Sequence, residues 1–261
     1  MAVTATSISQ NGRYEPFFLQ VSRDQISWHK TATVFGYNAD VDTAVETIWA
    51  IGGVLTLPSA AAILTVSSGS ASDAAAGTGA RTVFISGLNA SYNEISETVI
   101  LNGQTAVNTV NSYLRIQSAY VATAGSGLTA VGIIYIGTGT VTTGVPATIY
   151  SGIAIGDNAT QVGSWTVPAG YTAYITSGGT STAAQAAGVH VVTSLNIIDT
   201  SNVPRVLATV TLANSSSNFD FNLPLAVPEK TTIQARAFGS AANNHVSAYF
   251  QIVYILNDAT L

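Results

Sequence analysis

Glu94-Ile95-Ser96-Glu97-Thr98-Val99-Ile100-Leu101-Asn102-Gly103 sets the class of fold. Ile95, Val99 and Leu101 fall on one side of an extended chain, and Glu94, Ser96 and Thr98 on the other. That period of two belongs to a half-buried strand. Asn102-Gly103 then ends it with residues that accept the backbone of a tight turn.

The same pattern extends in both directions. Upstream, Thr82-Val83-Phe84-Ile85 runs into Gly87. Downstream, Tyr113 to Val121 reads as a strand with Leu114, Ile116 and Tyr120 on one side, and Ile133 to Ile136 as a short buried strand bounded by glycines. Val141 to Asn158 is a Gly/Thr-rich connector with strand-like pieces at Thr148 to Tyr150 and Ile153 to Ile155. The pattern restarts at Ser164-Trp165-Thr166-Val167-Pro168, where proline must end a strand. Val206, Ala208, Val210 and Leu212 alternate cleanly, and Val246 to Leu256 is apolar on both faces, as a central strand requires. No segment keeps a 3.6-residue period over 11 residues. Short β-branched and aromatic runs at this spacing predict an all-β chain. It divides into two β-sandwich (jelly-roll-like) domains, residues 47–157 and 158–261, preceded by an extended N-terminal arm over residues 1–46.

Charge separates the arm from the rest. Only 8% of the chain is charged, against roughly a quarter in an ordinary soluble domain. No Asp, Glu, Lys or Arg occurs from Ile116 to Gly156 or from Asn158 to Ile198. A folded surface so poor in charge is expected to lie against copies of itself or a partner. The arm holds eight of the 21 charged residues together with an aromatic set. Its Arg13, Phe17, Phe18, Arg23, Trp28, Phe35 and Tyr37 are the expected partner-binding residues. Removing residues 1–45 should therefore leave the sandwiches folded. The net charge of −5 argues against nucleic acid as a partner, which needs clustered Lys and Arg. No apolar run reaches the roughly 20 residues of a membrane helix, and Met1 to Gln10 lacks the basic and apolar regions of a signal peptide.

Chemistry is thin. There is no cysteine, and His29, His190 and His245 are far apart in sequence, so neither a thiolate zinc site nor H-x-x-x-H spacing exists. Neither G-x-S-x-G nor a Walker A motif is present, and Ser27-Trp28-His29-Lys30 lacks the companion motifs of the penicillin-binding families. Asn38-Ala39-Asp40-Val41-Asp42 opens like a calcium loop, but Thr43 replaces the required glycine and Trp49 the closing glutamate. Glu94 and Glu97 sit three apart on a strand and so face opposite sides. Catalytic, cofactor and metal residues are accordingly expected to be absent. Trp165 with Tyr171, or Tyr92 with Tyr113, could stack on sugars; core packing is the other reading.

Several stretches carry a resemblance: Ala80-Arg81-Thr82-Val83-Phe84-Ile85-Ser86-Gly87-Leu88-Asn89, Tyr92-Asn93-Glu94-Ile95-Ser96-Glu97-Thr98-Val99, Asn111-Ser112-Tyr113-Leu114-Arg115-Ile116, Trp165-Thr166-Val167-Pro168-Ala169-Gly170 and Pro228-Glu229-Lys230-Thr231-Thr232-Ile233. Together with Val21 to Ile26 and Phe35 to Asn38 they resemble virion structural proteins of tailed bacteriophages of the marine and cyanobacterial type. The resemblance implies a virion location and a non-enzymatic role. The expected form is a capsid decoration (cement) protein, a homotrimer or other homo-oligomer, held on the major capsid protein or other virion proteins. A tail or fibre protein whose second domain binds host-surface glycans is the alternative.

Overall fold

The computed structural model describes residues 9–10, 13–184 and 186–258, and it is all-β apart from one short helix. The chain opens with β1 (Ser9–Gln10) paired to β2 (Arg13–Tyr14), then α1 (Phe17–Ser22), the long β3 (His29–Val41) and β4 (Glu46–Thr47). The next strands are β5 (Ala62–Ser68), β6 (Ala80–Leu88), β7 (Glu94–Ile100), β8 (Val107–Tyr113), β9 (Arg115–Ala124), β10 (Ile134–Thr142) and β11 (Val145–Ile153). Then come β12 (Ser164–Thr166), β13 (Tyr171–Ala183), β14 (Val191–Ile198), β15 (Pro204–Leu212), β16 (Ser216–Val227), β17 (Thr232–Gly239) and β18 (Asn244–Leu256).

The middle strands form two sheets, ordered β11-β10-β5-β8 and β7-β6-β9. Their alternating side chains enclose one apolar cluster built on Leu64, Val83, Ile85, Tyr113, Ile134 and Ile136. The remaining long strands form sheets ordered β16-β13-β18-β3 and β12-β17-β14-β15, with β4 also on β17. A second cluster with Val34, Trp165, Ile175, Ile233, Phe250 and Ile252 fills the space they bound. Val41, Ile48, Val191, Ala237 and Val246 gather in a third. β18 is central, with β13 on one side and β3 on the other. Its burial nonetheless alternates along most of its length: Val246, Ala248, Phe250 and Ile252 are buried, whereas His245, Ser247 and Tyr249 are half-buried and Gln251 is exposed.

The arm expectation needs correction from residue 29 onward. β3 pairs with β18 from His29↔Ile255 to Val41↔Asn244, and Glu46 and Thr47 pair with β17. Thirteen residues with alternating burial form a strand when an open sheet edge is available, and the edge of β18 is the one they fill. Gly36 shows how closely this strand is built in: a Cβ there would lie 2.4 Å from the Ile48 carbonyl oxygen and 2.5 Å from the Gly163 nitrogen. Residues 29–47 are thus integral to the later strands, and the boundary at 46/47 cuts through β4. Counted in chain order, β3 and β12 to β18 make sheets ordered first-last-third-sixth and second-seventh-fourth-fifth. The β5–β11 unit sits in sequence between the first and second of these strands.

Two smaller differences have local causes. The 141–158 connector is mostly strand: β10 and β11 form a hairpin closed by Thr143-Gly144, with φ of 50° and 81°, the positive values that a two-residue hairpin loop requires. In β9 the register against β6 slips between Ser86↔Ser118 and Gly87↔Ile116, leaving Gln117 as a bulge. The slip reverses the facing of the residues after it, so Ala119 is buried and Tyr120 exposed. Tyr120 stacks on Phe84 at 5.0 Å outside the core.

Candidate interaction surfaces

The two pairs of sheets meet along β9, β7 and β3. Gln117, displaced by its bulge, bonds the backbone of Thr166 on β12, an example of a bulge re-aiming a side chain. Ala169 N donates to Tyr92 O at 3.0 Å, and Val121 N to Asn158 O at 2.8 Å. Glu94 bridges the units as well: its Oε2 accepts from Lys30 Nζ at 2.6 Å and its Oε1 from the Tyr254 hydroxyl at 3.2 Å. Lys30 Nζ lies 5.3 Å from the Tyr171 ring centroid, and Tyr254 packs on Trp165 at 5.2 Å. Burial works against the Lys30 ammonium, but the Glu94 bond and charge with Tyr171 outweigh it, so its pKa lies above the ordinary value. Burial, then Glu94, pushes the Tyr254 phenol well above its own. Beside this cluster lies a cleft of about 560 Å³, walled by Phe35 and Thr33 on one side and by Phe84, Ser86, Ser96 and Ser118 on the other.

The expected partner-binding residues fall into separate settings. Arg13 lies in β2, and its side chain is outside the described set. Phe17 and Phe18 are on α1, packed edge-to-face at 5.5 Å and both exposed. Val21 and Gln20 of the same helix are buried, so the aromatic pair is the outward side of a docked helix. Arg23 is ion-paired with Glu15. Trp28 is exposed in a left-handed conformation, φ 63°. Phe35 is 59% exposed on β3, beside Tyr249. Tyr37 shares a 2.7 Å hydrogen bond with His245 Nδ1, which makes it part of the sheet.

The calcium-like run is used differently. Asn38 is buried, Asp42 Oδ1 accepts from Asn243 N, and the Asn38 side chain donates to the buried Glu46. Glu46 also accepts from the Asp42 and Gly53 amides, so its carboxylate pins the β3–β4 turn. Among the described residues no three His, Asp or Glu side chains converge as metal ligands. Glu94 and Glu97 do not share a site: Glu97 accepts from the Val110 and Asn111 amides. Trp165 and Tyr113 are core residues and cannot stack on a sugar as they stand. Tyr171 packs on Tyr254, and the Arg115 guanidinium lies 5.8 Å from the Tyr92 ring.

Sequence reasoning missed two features. β15 and β16 are edge strands of facing sheets, and Val206, Leu207 and Leu223 on them are exposed, Leu223 by 85%. The Val206–Leu212 alternation located β15, but edge position is a property of the sheet order. The second is Asp73, wholly buried in the loop after β5. Its carboxylate accepts from Ser68 Oγ and from the amides of Ala80, Val131 and Gly132.

No protein-family model and no curated relative matches the chain. Among solved structures, it aligns with the VP2 subviral particle of infectious bursal disease virus at 10% identity, over 88% of this chain and 73% of that one, with a TM-score of 0.24. The Gt strain of the same virus aligns at 10% identity over 94% and 79%, TM-score 0.23, and the Gx strain at 9% over 90% and 74%, TM-score 0.24. Overlaps of this size establish no common fold.

Proposed function

We propose that the chain is a non-enzymatic virion structural protein, and in its most specific form a capsid decoration protein that binds neighbours through neutral sheet edges. The observation that carries this reading is the β15–β16 side of the molecule. Residues 204–227 contain only Arg205 and Asp220 as charges, yet Val206, Leu207 and Leu223 stand exposed there. Natural edge strands are usually protected by charge or covered. An edge left apolar on two facing sheets is suited to burial by another chain. The order of β3 and β12 to β18 is that of an eight-stranded jelly roll, an architecture that viral shells share with lectins. In this reading the β5–β11 unit, residues 62–153, is a second sandwich inserted after the first jelly-roll strand and β4. Fold alone does not assign function, so the weight rests on the surface.

The test has two readings. Sedimentation of the purified chain should show a closed oligomer, and antibody labelling should place it on the shell of intact particles from the same source. A monomer at high concentration that is also absent from purified particles would sink the proposal. Labelling confined to tails would replace decoration with the fibre reading.

A further inference from the structure

We propose that the cleft at Arg115 is a carboxylate-binding site. Arg115 opens β9 and is only 5% exposed. Its Nη1 donates to the carbonyls of Pro58, at 2.7 Å, and Leu114, at 2.8 Å. Its Nε is buried without a partner, and among the described residues neither Nε nor Nη2 has a protein acceptor. Among the described residues no carboxylate pairs with it. A buried guanidinium normally carries a counter-charge, because an unpaired buried charge is strongly destabilising. Burial accordingly lowers its pKa, and the Tyr92 ring offsets this only in part.

The missing charge has a place to go. Arg115 lines a cleft of about 310 Å³ whose rim comes from three segments: Ser59 and Ala60 before β5, Tyr92 in the β6–β7 turn, and Thr200 and Asn202 between β14 and β15. Ser59, Thr200 and Asn202 are exposed and can donate hydrogen bonds. A guanidinium N–H donates strongly to a carboxylate oxygen, and Nη2, which lacks a protein acceptor and is not closed off as Nε is, is the donor left free for it. The volume suits a small acid or one acidic side chain, and each would supply the same group. The site stands independently of the virion reading.

The experiment uses the full chain at constant pH and ionic strength. Melting temperature is followed as chloride is replaced by acetate or glucuronate, with sedimentation in parallel. A small-acid site predicts a saturable rise of several degrees that Arg115→Met abolishes. A neighbouring copy's acidic side chain predicts no such rise, but at least tenfold weaker self-association in Arg115→Met. Because Arg115→Met also removes the bonds to the Pro58 and Leu114 carbonyls, Ala60→Glu is made as well. By supplying a carboxylate from the rim it should raise the melting temperature in chloride and remove the response to added acid or to the partner copy. If neither acid nor association depends on Arg115, and Ala60→Glu stabilises nothing, the site is overturned and water satisfies the guanidinium.

Discussion

Gln117 and Thr166 exchange two hydrogen bonds across the joint between the two pairs of sheets: the Gln117 side-chain amide donates to the Thr166 carbonyl, and Thr166 N donates back to Gln117 Oε1 at 2.9 Å. One side chain thus imitates a strand partner for β12. Thr166 is buried, so losing this partner leaves backbone groups without water or protein. Gln117→Ala should cost about 2 kcal/mol, measured by urea unfolding. Loss of the same size in Gln117→Glu, which keeps the acceptor but removes the donor, would show that the carbonyl is the sensitive half.

Gly36→Ala should be among the most damaging single-carbon additions in the protein. The new methyl meets backbone on both sides, which cannot rotate away as a side chain would. The expected loss is about 3 kcal/mol or more, read as a fall in melting temperature. Because β3 pairs along β18, removal of residues 1–45 should collapse the β18 sheet.

Asp73→Asn tests the buried carboxylate. An amide in its place turns one acceptor oxygen into an N–H donor facing backbone N–H groups at the start of β6 and in the β9–β10 loop. About 3 kcal/mol should be lost, and amide exchange at Ala80, Val131 and Gly132 should accelerate ahead of global unfolding.

The 199–205 loop should respond to acid. The Ser201 hydroxyl, then Arg205, then the Ser201 amide hold the Asp199 carboxyl down at about 2, below its ordinary 3.8. A depressed carboxyl stabilises the fold above its unfolded pKa, and that contribution disappears as pH falls through its folded one. The loop contacts should therefore be complete above about pH 4 and gone below about pH 2. A carbon-detected titration of Asp199 checks this, and Ser201→Ala should move its midpoint upward.

Val206→Glu with Leu223→Glu should leave the monomer's stability within about 0.5 kcal/mol, since both side chains are exposed. It should also weaken any self-association seen by sedimentation. Unchanged association would move the interface away from β15 and β16.

The strands were legible because each carries its own period: β7, β15 and β18 lie where alternation put them. What alternation cannot carry is the choice of partner. Phe35 and Tyr37 read as arm residues because nothing within 46 residues pairs with them; their partners, Tyr249 and Ser247, are near the other end of the chain. A one-residue bulge at Gln117 was equally invisible, and it reversed the facing of Tyr120. Glu46 read as one of the arm charges, and nothing in the sequence around Asp73 marks it, since the acceptor roles of both depend on amides that only the folded loops bring together.

The pairing of β3 with β18 also governs how the protein can be made. Tyr37 and His245 are 208 positions apart, and a ribosome releases the first of them long before it has synthesised the second. Through that interval thirteen residues of strand wait with one edge unsatisfied, while the β5–β11 unit can already be complete, since its partners are all local to it. The sheet is therefore completed only when β18 enters between β13 and β3, both of which are made before it. Contacts this distant in sequence make such a step slow, and incomplete chains should be the species that aggregate.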